Sequence, residues 1–498
     1  MAIACATLGR VTDPRRSSSV PDALTADDLV AATGGTLVRR SERPIRGAAV
    51  DSRAVRPGEL FVALPGERTD GHRFARAAVE AGAGALLVTA DLADPDAWGE
   101  GGAVPPAADV TIVRVPDALR ALQAVAAAWR LRFTPLVVGI TGSIAKTSTK
   151  EAVATVLAER FRTLKNEGNL NNEIGLPLTV LRLGPEHEAA VLEMGMYVGG
   201  EIRDLAAIGR PRVGVVTAVL GVHLSRIGSI EAVTKAKREL VEALPPASEG
   251  GVAVLNADNT RVRGMRHQTG ARAILYGFGA RADVRATDIT SLGLDGMAFR
   301  LVTPNGDRRV RIPVLGKLSA HNAAAAAAVG WAAGMPLDEI VAGLERGWQA
   351  PHRMEVKRAG GITILDDSYN ASPESVIAAI EALEAIPGRH VAVLGEMREL
   401  GESEHRPAHA KVGSLALMRT DLVVVVDGLP GGRAEDMTPR DLPPQLRDRL
   451  VPVPDRAAAL EVLLARLRPG DVVLVKASRG IALDLLVDDL EAALEARG

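Results

Sequence analysis

Two hydrophobic rhythms alternate along this chain. Short unbroken apolar runs, such as Leu136 to Ile140, Ala189 to Leu192 and Val213 to Val216, are bounded by proline, polar or charged residues, as expected of strands buried on both faces of a parallel sheet. Between them lie stretches with helical spacing: Val153, Val156 and Leu157 stand at i, i+3 and i+4 and share one face. Strand and helix in alternation predict a mostly parallel sheet covered on both sides.

The same alternation resumes around Ala350, with apolar runs at Ile362 to Leu365, Val391 to Leu394, Leu422 to Val426 and Val472 to Val475. Ser372 is placed to cap a helix whose first position is Pro373 and whose apolar face carries Val376, Ile377 and Ile380. Ahead of the central unit, Leu60 to Leu64 and Ala85 to Val88 are short apolar runs in a smaller α/β pattern that ends near Pro116. The expected organisation is a tail over 1–22, a small N-terminal α/β domain over 23–115, a central P-loop domain over 116–349 and a C-terminal Rossmann-like α/β domain over 350–498.

Length agrees, since 498 residues at roughly 150 per domain is about three domains. A formal net charge of -2 gives no global attraction to nucleic acid. The lone Cys5 excludes an internal disulfide and a thiolate-built zinc cluster, which fits a cytoplasmic setting. Arg15 and Arg16 are not followed by the apolar stretch of an export signal, and the weakly polar run Ala323 to Met335 is too short for the roughly 18 to 20 residues of a membrane span. Lysine is scarce: nine of the 59 basic residues are lysines and the other 50 are arginines. Lys146, Lys237 and Lys476 stand inside motif-like stretches of this arginine-rich chain, which suggests a need for an amine that can lose its proton.

The segment Gly139 to Ser148 joins a strand to a helix N-terminus, where free N–H groups and the helix dipole favour phosphate. Gly142, Ser143, Ile144, Ala145, Lys146, Thr147 and Ser148 form the expected cradle, with Lys146 reaching the outer phosphates and Thr147 ligating magnesium. It departs from the general P-loop, because Ala145 stands where glycine usually precedes the lysine and Gly139 is one residue early. Glu193 ends a strand at the carboxyl edge of the sheet, where ligand groups gather. Taken singly, Glu193, His223 and Lys237 read as a surface acid, a satisfied histidine and a solvated lysine.

Together, Thr141-Gly142-Ser143 through Lys146-Thr147, Glu193 in Leu192 to Gly195, and His223-Leu224 followed by Ala236 to Glu239 occur in the order that characterises the Mur ligase family. The resemblance implies that Thr147, Glu193, His223 and Lys237 bind Mg2+, with Lys237 carbamylated, and that Lys146, Glu193, His223 and Lys237 form the catalytic set. It also implies ATP contacts from Asn256, His321, Asn322, Arg353 and Asp367, although Ala325 replaces a further asparagine of the base-side motif. Asp366 to Pro373, with Leu394 to Met397 and Leu400 to Glu402, resembles the member that adds D-alanyl-D-alanine, which puts Tyr369, Asn370, Lys476 and Ser478 at the acceptor.

Asp51, Ser52 and Arg53, with Asn169, Asn171 and Asn172, resemble the segments that meet a UDP-muramoyl tripeptide. The implied reaction is ATP-dependent amide formation between the two substrates by a monomer with no nucleic-acid partner. Two alternatives stay open at this point. One is another ligase of the superfamily, such as the third-amino-acid-adding or a glutamyl ligase. The other is an inactive nucleotide-binding relative, motivated by Ala145.

Overall fold

The computed structural model describes residues 22–66, 69–91, 98, 103–221, 228–398, 400–427, 434–438, 446 and 448–497. Its strands form three sheets in a three-domain α/β arrangement. The first has five strands in the order Thr36–Arg39, Thr111–Arg114, Ala85–Val88, Leu60–Val62 and Ala48–Ala49, parallel except for the first pair. The second has nine, running from the edge Gly306–Ile312 through Met297–Thr303, Val284–Ser291, Arg272–Gly277, Val252–Asn256, Val213–Val216, Leu136–Thr141 and Ala189–Glu193 to Thr163–Lys165. The third has six, ordered Glu355–Ala359, Ile362–Asp366, Asp471–Lys476, Arg389–Gly395, Leu422–Val426 and Leu450–Val453.

The apolar runs become the inner strands. Val137, Val138 and Ile140 are completely buried, as are Val213, Val215 and Val216. The pattern at 153–157 becomes the helix Lys146–Ala158, with Val153, Val156 and Leu157 completely buried. Two further helices hold it from outside. Lys317–Ala332 lays buried alanines along it, and in Leu337–Arg346 the absence of a Cβ at Gly343 lets the backbones meet, since a Cβ there would lie 2.7 Å from the Val156 Cα. This helix is thus held between the sheet and two further helices.

Helix Ala118–Arg130 buries Leu122, Val125 and Trp129 in a core that continues from Leu60, Leu87 and Val113 of the first sheet to Leu176 and Leu192 of the central one. Ser372 and Pro373 begin the helix Pro373–Glu384 as expected, with Ser372 accepting from the Ser375 N–H. The central sheet extends further than its apolar runs predict, through the antiparallel strands Val284–Ser291, Met297–Thr303 and Gly306–Ile312. Among the described residues no helix is long and apolar enough to cross a membrane.

Candidate active site

Strand Leu136–Thr141 delivers the chain into a tight turn at Gly142, whose φ is 155°. A Cβ at Gly142 would come within 1.9 Å of the Thr217 hydroxyl, so no other residue fits. Thr217 itself donates to the Ile144 carbonyl (2.6 Å), and the Ser143 hydroxyl accepts from the Leu220 N–H (3.0 Å), tying the turn to the neighbouring strand's exit. Ala145 then adopts a left-handed conformation (φ 63°, ψ 7°) as the cap before Lys146, the geometry that glycine supplies without strain. Lys146 folds its ammonium back over the turn, onto the carbonyls of Gly142 (2.9 Å) and Ser143 (3.4 Å).

Glu193 lies beside this turn, 1% exposed at the end of its strand. Its Oε1 accepts from the Asn171 amide (2.7 Å), and its backbone N–H donates to Asn166 Oδ1 (2.9 Å). Its Oε2 is buried and has no hydrogen-bond partner. An unmatched buried carboxylate oxygen is costly in itself. An oxygen-seeking divalent cation at the phosphates is the complement this donor set fits.

The C-terminal wall begins with His352-Arg353-Met354, where His352 (φ 57°) and Met354 (φ 52°) are both left-handed. Hydrogen bonds offset that strain: His352 Nδ1 pairs with the buried Asp366 (2.7 Å), Glu355 accepts from the His352 N–H (3.1 Å) and Asp367 from the Met354 N–H (3.2 Å). The turn sends Arg353 across to the Thr147 hydroxyl (3.1 Å). The Arg353 guanidinium stands 4.3 Å from the Tyr369 ring centre and that of Arg479 stands 4.9 Å from it. Lys476, 3% exposed, pairs with Asp367 (2.6 Å) and donates to the Asn370 carbonyl (2.8 Å). Ser478 accepts from the Arg398 N–H (2.9 Å).

These two walls enclose a cavity of about 230 Å³. Ser143, Ile144, Ala145, Lys146, Ser148, Asn171, Glu193 and Asn322 line it from the central domain, and Arg353, Asp367, Tyr369, Asn370 and Lys476 from the C-terminal one. A second cavity of about 140 Å³ adjoins it, with Lys146 and Asn171 in both linings and Asn172 and Tyr197 in the second. A larger space of about 600 Å³, between the strand Val284–Ser291 and the helix Pro373–Glu384, contains none of the residues named from sequence.

Other named residues stand apart from these linings. Asn256 uses its amide on the Thr217 carbonyl (2.6 Å) and accepts from the Asp258 N–H (2.9 Å), so it shapes the loop at the strand end. His321 sits among Tyr276, Phe278 and Asp258. The bond to His321, with the Phe278 and Gly279 N–H groups, holds the Asp258 carboxyl down to about 2 against its desolvation. Asn169 is exposed, whereas Asn172, which does line the second cavity, accepts from the Gly175 N–H (2.9 Å). Asp51 caps the short turn Ser52–Ala54 and pairs with the exposed Arg53 in the first domain. Lys237 is 1% exposed on the helix Ile230–Glu242. His223 lies outside the described residues. Sequence reasoning assigned no role to Asn166 or Thr217, which position Glu193 and the turn, and quoted Arg479, which stacks on Tyr369, only as the end of the Lys476-Ala477-Ser478-Arg479 segment.

Sequence comparison matches 44–130 to the Mur ligase family catalytic domain, 140–330 to the Mur ligase middle domain and 352–479 to the Mur ligase glutamate ligase domain. The chain is 38% identical to the UDP-N-acetylmuramoyl-tripeptide--D-alanyl-D-alanine ligase of Mycobacterium leprae, over 94% of this chain and 98% of that protein. It is 40% identical to the enzyme of the same name from Escherichia coli, over 74% of this chain and 77% of that one. A crystal structure of MurF from Acinetobacter baumannii superposes with a TM-score of 0.80 at 30% identity, covering 94% of this chain and 99% of that one. MurF ligase from Thermotoga maritima in complex with ADP superposes with a TM-score of 0.77 at 29% identity, covering 91% and 99%.

Proposed function

The chain belongs to the Mur ligase family, and we propose that it is the ATP-dependent ligase that joins D-alanyl-D-alanine to UDP-N-acetylmuramoyl-tripeptide. The observation that carries this reading is the shared cavity, in which a phosphate-binding turn faces the Asp367 to Asn370 segment that resembles the dipeptide-adding ligase. The tripeptide's terminal carboxylate oxygen attacks the γ-phosphorus of ATP, and ADP leaves. The dipeptide amine then attacks the acyl carbon, phosphate leaves, and the nitrogen gives up a proton.

The chain's part is positioning and neutralisation of charge. Lys146 stands where the two cavities meet, between the nucleotide side and the precursor side, suited to the phosphoryl group that passes from ATP to the carboxylate. Arg353 approaches the same point from the C-terminal domain, and the two domains together exclude water from the acyl phosphate. We assign 23–115 with Asp51, Ser52 and Arg53 to the uridine nucleotide, 116–349 to ATP, and 350–498 to the dipeptide.

Mg2+ would be held by Glu193, Thr147 and, by resemblance, His223 and a carbamylated Lys237, and when bound it neutralises phosphate charge. The free Oε2 of Glu193 supports this part of the reading. Lysine at 237 is needed because only a neutral amine adds carbon dioxide, which an arginine does not provide. The enzyme is expected to act in the cytoplasm as a monomer, which sedimentation velocity checks.

The acceptor tests the function. A dipeptide site satisfies one more peptide N–H and C=O than an amino-acid site, and leaving those partners unpaired costs roughly 1 to 3 kcal/mol each. With saturating tripeptide nucleotide, ADP release should therefore be fast with D-alanyl-D-alanine and slow with diaminopimelate or glutamate, with mass spectrometry identifying the product. Faster joining of a free amino acid to the dipeptide precursor would overturn the assignment while leaving the family intact.

A further inference from the structure

Lys150 takes part in none of the steps above, yet it is 0% exposed. It lies one helical turn beyond Lys146 on the phosphate-binding helix, and its ammonium donates to the carbonyls of Asn166 (2.7 Å) and Gly168 (3.2 Å). The Glu151 carboxylate, 3.0 Å away and also paired with Lys165, balances its charge. Burying an ammonium is unfavourable unless each proton finds an acceptor. Here three acceptors converge on one point, an arrangement that suits a compact lysine head and not a planar guanidinium.

The two carbonyls belong to the loop that reaches Glu193. Asn166 accepts from the Glu193 N–H and donates to the Leu170 carbonyl (2.8 Å), while Asn171 at the far end of the loop donates to Glu193 Oε1 (2.7 Å). A line of hydrogen bonds therefore runs from the phosphate-binding helix through the loop to Glu193, whose Oε2 is buried without a hydrogen-bond partner. Its effect is to engage Oε1 and leave Oε2 unpaired.

We propose that Lys150 is a positioning residue that couples the phosphate-binding helix to Glu193, holding the 166–172 loop so that the carboxylate presents its free oxygen to a divalent cation at the nucleotide phosphates. This rests on the reading of Glu193 as a cation ligand, and the experiment separates the two.

Mn2+ affinity in the presence of ADP is measured by electron paramagnetic resonance, and metal-free ADP affinity by calorimetry, for the full-length wild type, Lys150→Met, Asn171→Ala and Glu193→Gln. Lys150→Met should keep metal-free ADP binding within about twofold and lose at least about tenfold in Mn2+ affinity, as should Asn171→Ala. A general loosening of the fold would weaken both affinities together and would overturn the proposal. So would unchanged Mn2+ affinity in Lys150→Met beside a loss in Glu193→Gln, whereas unchanged affinity in all the variants would remove the reading of Glu193 as well. Should Lys150→Met not fold, Asn171→Ala decides, because it cuts the same line at its partly exposed end.

Discussion

On the central wall of the cavity Glu193 keeps one carboxylate oxygen on Asn171 and the other buried without a partner. On the opposite wall Asp367 has both oxygens engaged, by the Met354 N–H and by Lys476, and the Tyr369 ring lies between two guanidinium groups. The first wall offers a buried acceptor with no partner of its own, and the second pairs its charges internally. The central domain therefore contributes chemistry that depends on what it binds. The C-terminal domain contributes a preformed surface, whose value lies in where it stands relative to the phosphates.

The sharpest way to break this comparison is to remove the groups proposed to hold a cation. If the proposed metal site is right, Glu193→Gln and Lys237→Ala should each lower kcat on the order of a thousandfold, since each would delete negative charge from it. The two should differ in rescue. Formate or acetate fits the space left by a lost lysine carbamate and should restore part of the Lys237→Ala activity, but should do nothing for Glu193→Gln, where the amide still fills the site. Full activity in Lys237→Ala, measured as ADP release, would take that residue out of the mechanism.

The C-terminal wall should respond more weakly and in a different parameter. Tyr369→Ala removes two cation–π contacts of about 0.5 to 1 kcal/mol each, so the KM for ATP and for the dipeptide should rise about five- to thirtyfold with a smaller change in kcat. Tyr369→Phe keeps the ring and should stay within about threefold of the wild type. A kcat loss in Tyr369→Ala as large as that of Glu193→Gln would mean that the two walls do not divide the work as described.

That division was only partly legible in the sequence. The turn Gly142 to Ser148, the strand-end Glu193 and the Ser372 cap are local patterns, and local geometry follows from a few neighbouring residues. The antiparallel arm escaped notice because Gly306–Ile312 carries Asp307, Arg308, Arg309 and Arg311 and buries only Val310 and Ile312, which leaves almost no apolar run to see. Lys150 and Asn166 escaped for another reason. Apart from the Lys150–Glu151 pair, their partners are main-chain atoms brought close by the fold, and no side-chain motif records such contacts. Asn256 illustrates the same limit in reverse, since its position in a motif does not say whether its amide turns to a ligand or, as here, to the Thr217 carbonyl.

The smallest effect is expected where the motif itself departs from its pattern. Ala145 holds φ 63° and ψ 7° at the entry to the phosphate-binding helix, a conformation that costs an L-residue roughly 1 to 2 kcal/mol relative to glycine. Ala145→Gly would release that strain. It would also give the unfolded chain more freedom, which offsets roughly 0.4 to 1 kcal/mol of the gain. The balance is a change in stability of about 0 to 1.6 kcal/mol, in a segment already braced by Thr217, Ser143 and Leu220. Because the backbone already occupies the glycine-like conformation, the N–H groups facing the phosphates stay where they are, and ATP affinity by calorimetry should shift less than about fivefold. If nucleotide binding appeared only in Ala145→Gly, the alanine would be a disabling substitution, and the central wall would be that of a nucleotide-binding relative that has lost its chemistry.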